Sequence, residues 1–356
     1  MKIAPIIEAL KEYKDRISFS LVHTGQHYDA KMSDEFFTQL RIPKPDVNLE
    51  CGGGSQAEQT ASILVKFEKY LTANPCDLVL VVGDVTSTFA CSVVAKKLGI
   101  LVAHVEAGIR SGDRSMPEEI NRLLTDSISD YFFTTTEHAG KNLMKEGKLS
   151  RDIFFVGNTM IDTLLKHNDE MLPPDFWSSE KLDPKEYFVM TLHRPSNVDN
   201  PTQLLSILSA AARGAMNKRI VFPVHPRTRK NLEPLKDSLQ QMPILFVEPQ
   251  GYLQFNFLVK YALGVITDSG GITEETTVMG IPCITLRTTT ERPETCTIGT
   301  NELIGTDPEA IEEHVRKMAT GKWKKGAIPP LWDGQTSARI VDKLSELLAV
   351  KHEISI

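Results

Sequence analysis

The feature that most constrains this chain is an alternation. Short apolar, β-branched runs are separated by longer amphipathic stretches from one end to the other. A first set of runs comprises Ser18–His23, Leu78–Val82, Ile100–Val105, Tyr131–Thr134 and Ile153–Val156. A second comprises Tyr187–Leu192, Ile220–Val224, Ile244–Val247, Gly264–Thr267 and Cys283–Leu286. Helical patterns lie between them, as at Gln56–Leu71, Ser87–Leu98, Glu118–Ser129 and Leu204–Met216. Brief continuous apolar runs alternating with helices predict strands buried on both faces, and so parallel sheets in βα units.

The 356 residues suffice for two such domains, each with its own core. The stretch "LPPDFWSSEKLDPK" (Leu172–Lys185) is the least periodic and the richest in Pro and Asp, and reads as the link between them. The expected division is therefore 1–171 and 186–333. A last helix over 334–356 carries an apolar stripe at Ile340, Leu344 and Leu347; it either completes the second domain or crosses back onto the first.

Composition narrows the function. A formal net charge of −6 disfavours nucleic acid as a partner, because phosphate backbones select basic surfaces. No apolar run approaches the roughly 20 residues that span a bilayer, and no leader-like segment opens the chain, so the expected location is cytoplasmic. The scattered Cys51, Cys76, Cys91, Cys283 and Cys296 form no CxxC pair and suggest neither a disulfide framework nor a zinc site. "LECGGGSQAE" nominally fits a dinucleotide fingerprint, but the strand before it is polar and Asp77 opens a strand instead of closing one. It reads as a Gly-rich loop before a helix, and no cofactor is expected.

Ligands of open α/β sheets bind beyond the carboxyl ends of the strands. In the first half those positions carry Thr24–Gly25–Gln26–His27, Gly83–Asp84 and Glu106; in the second, His193–Arg194, His225, Glu248–Gln250 and Asp268–Gly271. "VITDSGGITEE" is the strongest of them: a strand, a small-residue turn at Ser269, Gly270 and Gly271, then a helix whose N-terminal N–H groups can take phosphate. Of Glu274 and Glu275, one can cap that helix and the other is placed to accept from ribose hydroxyls. Arg287 and Arg292 follow, which favours a nucleoside diphosphate. Gln250 and Phe255 offer a place for a base. His193 and His225 hold corresponding positions, one beside Arg194; they suit an anion, and neither has a metal-ligand partner four residues on.

The acids Asp84, Glu106 and Glu118 remain. Asp84 can be read as a cap for the helix near Ser87, and Glu118 and Glu119 as N-terminal helix charges after Pro117, with Glu119 and Arg122 on the helix face. Glu106, at the end of a buried strand and before Ala-Gly, is not an obvious cap. Partly buried carboxylates near one another acquire different pKa values, which equips them as acid and base.

These stretches together resemble the non-hydrolysing UDP-N-acetylglucosamine 2-epimerases. The matching segments are "KIAPII", "TGQHYD", "GDVTST", "HVEAGIRS", "PEEINR", "GNTMIDTL", "TLHRPSN", "PVHPRT", "TDSGGITEE", "TTERPET" and "IGTNELIG", in order along nearly the whole chain. The resemblance implies a GT-B-like α/β fold: two Rossmann-type domains, a cleft between them, a C-terminal helix crossing to the first domain, and a homodimer. It implies interconversion of UDP-N-acetylglucosamine and UDP-N-acetylmannosamine for cell-surface polysaccharide. It puts UDP contacts on Gln250, Phe255, Ser269, Gly270, Gly271 and Glu275. Phosphate and sugar contacts fall on Lys2, His225 and Arg292, and acid–base chemistry on Asp84, Glu106 and Glu118, without dividing the steps among them; His225 is counted with the catalytic groups. The family opens with a strand and a "GTRP" loop ahead of the "KIAP" helix, so a chain opening at Met1-Lys2 implies a weakened first sheet. The competing readings are a hydrolysing epimerase, which releases free N-acetylmannosamine and UDP, a GT-B glycosyltransferase, which needs an acceptor, and a non-catalytic UDP-sugar sensor.

Overall fold

The computed structural model describes residues 1–25 and 38–354, so Gln26 and His27 lie outside the described residues. The chain divides into two compact units, Met1–Lys166 with Pro330–Ile356, and His167–Pro329.

Unit 1 is a parallel α/β layer. Strands β1 (Val22–His23) and β2 (Val47–Asn48) pair with each other; β3 (Leu78–Val82), β4 (Leu101–Val105), β5 (Tyr131–Thr134) and β6 (Ile153–Phe155) form a sheet in that order, every neighbour parallel. The run at Ser18–His23 becomes a strand only over its last two residues; just ahead of them Asp46 Oδ2 takes the Leu21 N–H at 2.7 Å. Helices among the described residues include α1 (Ala4–Glu12), α2 (Gln56–Ala73), α3 (Thr86–Lys97), α4 (Pro117–Ile128), α5 (Glu137–Lys145) and α6 (Thr159–Lys166). The Gly-rich loop leads into α2 through a capping box, in which Ser55 and Glu58 satisfy each other's N–H groups. Glu58 thus occupies the helix end that a pyrophosphate would otherwise use.

The C-terminal helix Thr336–Ile354 packs on this unit. Its Ile340, Val341 and Leu344 join a core with Ile6, Leu10, Val105 and Phe133, while Leu347 is only half-buried. The Asp162 carboxylate on α6 accepts from the N–H groups of Thr336 (3.1 Å) and Ser337 (2.6 Å), fixing the helix start.

Unit 2 has six parallel strands: β7 (Tyr187–Thr191), β8 (Arg219–Pro223), β9 (Ile244–Val247), β10 (Gly264–Thr267), β11 (Cys283–Thr285) and β12 (Asn301–Leu303), in the order β12-β11-β10-β7-β8-β9. Helices α7 (Pro201–Gly214), α8 (Tyr252–Tyr261), α9 (Gly270–Met279) and α10 (Pro308–Ala319) belong to it. Apolar clusters around Phe188, Phe222 and Ile266, and around Val189, Val221 and Val265, bury alternate residues of the same strands, so both faces are covered. Trp177, from the Pro-rich stretch before β7, packs edge-on against Tyr187 and Phe257, with centroids 5.5 and 5.1 Å away. The strand order reverses between β7 and β10. That reversal opens a crevice at their carboxyl ends, where open α/β sheets hold nucleotides. Among the described residues no helix is long and apolar enough to cross a membrane.

Candidate active site

In unit 1 the site starts where β3 and β4 end. Val82 and Val105 are register partners, and the Gly83 N–H donates to the Val105 carbonyl at 3.0 Å, so Asp84 and Glu106 leave neighbouring strands side by side. Glu106 has φ +70° and is 4% exposed. A left-handed backbone costs an ordinary L-residue roughly 1–3 kcal/mol, so surrounding contacts must hold it. The N–H groups of Glu106 and Ala107 both donate to the Phe133 carbonyl, at 3.0 and 3.1 Å. Lys2 Nζ donates to Glu106 Oε2 at 2.6 Å. A strained, buried acid beside a cation is the strongest functional signal in this unit.

Asp84 is half-buried. Its Oδ2 receives Arg122 Nε at 3.0 Å and Nη2 at 2.8 Å, and its carbonyl receives Asn121 Nδ2 at 2.9 Å. Helix α3 has Val85 as its N-cap with no side-chain cap, so the capping role considered for Asp84 is not what the residue does. The helix-face reading of Glu119 and Arg122 is also corrected. They are 2% and 3% exposed and paired with each other, and the Glu119 carboxylate accepts the N–H groups of Ser111 and Gly112, both at 3.0 Å. Burial alone would raise the Glu119 pKa, but the two amides and Arg122 outweigh it and lower it. This i, i+3 pair faces inward and ties the loop after β4 to Asp84. Glu118, one position earlier, is exposed.

In unit 2 the crevice between β7 and β10 is organised by Asp268, whose side chain is fully buried. Its carboxylate accepts from the His193 N–H (3.1 Å), the Arg194 N–H (2.9 Å) and Asn197 Nδ2 (3.0 Å), and pairs with His193 Nδ1 at 2.8 Å. Burial would raise its pKa; His193, the Arg194 amide and Asn197 prevail and lower it. Arg194 Nε returns a bond to the Asp268 carbonyl at 3.1 Å. The His225 ring, after β8, has its centroid 6.3 Å from that of His193. The crevice thus gathers His193, Arg194 and His225 next to the turn at Ser269, Gly270 and Gly271.

That turn opens α9 with Ser269 as N-cap and no side-chain cap, which suits the helix end to an anion. A Cβ on Gly270 would meet the Glu291 carboxylate, so a larger residue there would push that side chain aside. Burial works to raise the Glu291 pKa, yet Arg287, paired at 2.7 Å, and Arg292 hold it at about 2. Neither Glu274 nor Glu275 caps the helix: both lie past its first turn and both are buried. Glu274 Oε1 holds Arg292 Nε at 2.7 Å, which fixes this arginine against α9. Glu275 Oε1 accepts Tyr252 Oη at 3.1 Å and Asn256 Nδ2 at 3.5 Å, and burial pushes its carboxyl up to about 7. Gln250, whose Nε2 bonds the Glu248 carbonyl at 2.8 Å, precedes α8, and Phe255 is half-buried on that helix. Tyr252 joins α8 to Glu275, linking the expected base and ribose ends.

Residues 8–345 match the family model for UDP-N-acetylglucosamine 2-epimerase. The chain belongs to the UDP-N-acetylglucosamine 2-epimerase family. Family members are isomerases, and the fold is GT-B-like, built of two Rossmann-type units. A Methanocaldococcus jannaschii protein named UDP-N-acetylglucosamine 2-epimerase is 43% identical over 354 residues, covering 96% of this chain and 94% of the relative. A Pseudomonas aeruginosa relative named UDP-2,3-diacetamido-2,3-dideoxy-D-glucuronate 2-epimerase is 38% identical over 350 residues, covering 98% and 96%. The crystal structure of the M. jannaschii UDP-GlcNAc 2-epimerase in complex with UDP-GlcNAc and UDP superposes with a TM-score of 0.86 at 42% identity, covering 97% and 96%.

Against this family background, several residues were not singled out by spacing alone. Asp268 stands among the strand-end residues of the second half, but the spacing gives it no partner and no role. Glu119, Arg122 and Asp126 recur at i, i+3 and i+7, one stripe of a helix, and all three are buried. His104 lies inside a strand, where a polar residue amid Val102, Ala103 and Val105 signals a buried partner.

Proposed function

We propose that this enzyme interconverts UDP-N-acetylglucosamine and UDP-N-acetylmannosamine by inverting C2, through elimination and re-addition of UDP. The C2 proton lies beside an acetal carbon and not a carbonyl, so direct removal and return is very slow. Expelling UDP from C1 while C2 loses its proton gives a 2-acetamidoglucal. Protonation of C2 from the opposite face, with UDP re-adding at C1, gives the epimer. Atoms balance without an oxidant, so no cofactor is required.

In this reading α9's N-terminus with Ser269, Gly270, Gly271, His225, His193, Arg194 and Arg292 stabilises the diphosphate as it takes up charge on leaving. Glu275 accepts the ribose hydroxyls, and Gln250 and Phe255 hold the base. Asp84, Glu106 and Glu118 move the protons, and Lys2 serves Glu106 and the sugar-phosphate end. The single observation that carries the proposal is Glu106, a buried carboxylate in a left-handed backbone at a strand's carboxyl end, in a chain of this family.

The P. aeruginosa relative's name supports a second substrate, a diacetamido uronate with the same C2 chemistry. Incubating the protein separately with UDP-N-acetylglucosamine and with the uronate, and following products by proton NMR, decides between them. Formation of UDP-N-acetylmannosamine supports the proposal. Free N-acetylmannosamine points to the hydrolysing reaction, and turnover of the uronate alone to the second substrate. The proposal includes a homodimer, checked by analytical ultracentrifugation.

A further inference from the structure

We infer that Asp126 is a positioning residue: its one carboxylate clamps both sides of Glu106 and, through His104, also anchors the segment that carries Asp84. The inference rests on the acid–base roles proposed above for Glu106 and Asp84.

The carboxylate lies on α4 and is fully buried. Oδ1 meets His104 Nδ1 at 2.6 Å, two residues before Glu106. Oδ2 accepts the Gly108 N–H at 3.0 Å, two residues after Glu106, and pairs with Arg110 at 2.7 Å. The chain therefore turns at Glu106 while its flanks are pinned to the same side chain. That closed ring accounts for the positive φ of Glu106, which no local preference of glutamate supplies. Gly108 completes the turn. It has φ +77°, and a Cβ there would strike the Ala139 backbone.

His104 extends the clamp. Its Nε2 faces the Gly83 carbonyl at 2.8 Å, and that carbonyl belongs to the peptide preceding Asp84. Carboxylate on one ring nitrogen and carbonyl on the other are both acceptors, so the ring that satisfies both is the doubly protonated one. Burial disfavours that charge, but Asp126 and the Gly83 carbonyl prevail and raise the His104 pKa. Burial likewise opposes the Asp126 charge, which His104, Arg110 and the Gly108 amide restore, lowering its pKa. The charged groups facing this pair are Arg110, Glu106 and, beyond Arg110, Glu146.

Asp126→Asn keeps the shape but removes the charge that holds the imidazolium and turns one of the two acceptor oxygens into a donor. The expected result is a fall of about 10²-fold in kcat with KM and UDP affinity within about twofold, since displacement of a catalytic group by an ångström has that effect. His104→Gln, which removes the imidazolium charge and keeps only one of the two tethers, is the second variant and covers the case in which Asp126→Asn does not fold; it is expected to lose about 10-fold in kcat. A crystal structure of either variant reads the clamp without any turnover. Relaxation of Glu106 from positive φ, or loss of its Lys2 contact, supports the inference. An unmoved Glu106, or kcat within twofold of wild type per folded molecule in both variants, overturns it. Absence of epimerisation in the wild type speaks against the proposed function, and the structural readout still decides the clamp.

Discussion

Lys2 and Glu106, 104 positions apart in sequence, meet through a 2.6 Å contact between Nζ and Oε2. The lysine stands just ahead of α1 and the glutamate just past β4, so the start of α1 delivers a cation to a buried acid held at positive φ. Glu106→Gln should lower turnover by about 10³-fold or more, within the range of a lost general acid or base, with UDP affinity unchanged by calorimetry. Lys2→Gln, at a partly exposed position, should lower kcat by about 10-fold and leave the thermal midpoint within a few degrees.

The Glu119–Arg122–Asp84 chain is buried at its centre. Arg122→Lys removes the fork that reaches two carboxylates at once, and lysine cannot replace it. The expected outcome is destabilisation of about 3 kcal/mol by urea unfolding, because two carboxylates lose their partner. Steady-state assays should also show a drop in kcat, because the loop at Ser111 and Gly112 loses its tether. Full kcat in a destabilised Arg122→Lys enzyme would remove Asp84 positioning from the account.

How much of this was readable beforehand depends on the kind of signal. The strands were legible because burial on both faces leaves continuous Val, Ile and Phe runs, and β12 was not, because "NEL" on a sheet edge carries no such run. Asp84, Glu106, His193 and the Ser269–Gly271 turn stood out because strand ends are where polar residues have no structural reason to interrupt the pattern. The networks behind them did not. Asp268 ties β10 to the loop after β7 across 75 positions, and Asp126 reaches back 22 positions into β4. Pairings set by the strand order β10-β7 and by the face of a helix leave no trace in local spacing. Glu119 and Arg122 looked like solvated charges for the same reason: an i, i+3 ion pair has one sequence pattern whether it faces water or the sheet.

Asp268→Asn should cost unit 2 its crevice. The carboxylate accepts several donors at once and a carboxamide cannot accept them all. Loss of about 3 kcal/mol in stability and of about 10-fold in UDP affinity is expected, measured by urea unfolding and calorimetry. Unchanged UDP affinity would separate the His193–Arg194 loop from the diphosphate site.

Glu275 gives a pH signature. Burial raises its folded-state pKa to about 7, above the 4.5 of an ordinary glutamate. A raised acid favours folding in its protonated form, so that contribution is present below pH 4.5 and is lost as pH climbs to about 7. Ribose hydroxyls donating to Glu275 favour the carboxylate, so UDP binding should release a proton and affinity should rise with pH up to about 7. Calorimetry in buffers of different ionisation enthalpy measures that release, and Glu275→Gln should abolish its share. An identical proton release in the variant would contradict the ribose role.

The most direct test of the central claim is to incubate the protein with UDP-N-acetylglucosamine in D₂O and to follow C2 by NMR and mass spectrometry. The account predicts deuterium at C2 of the UDP-N-acetylmannosamine formed and of the recovered substrate, with UDP-sugars as the products. Epimer formed with C2 still carrying its original hydrogen, or no exchange while UDP binds normally, would contradict it.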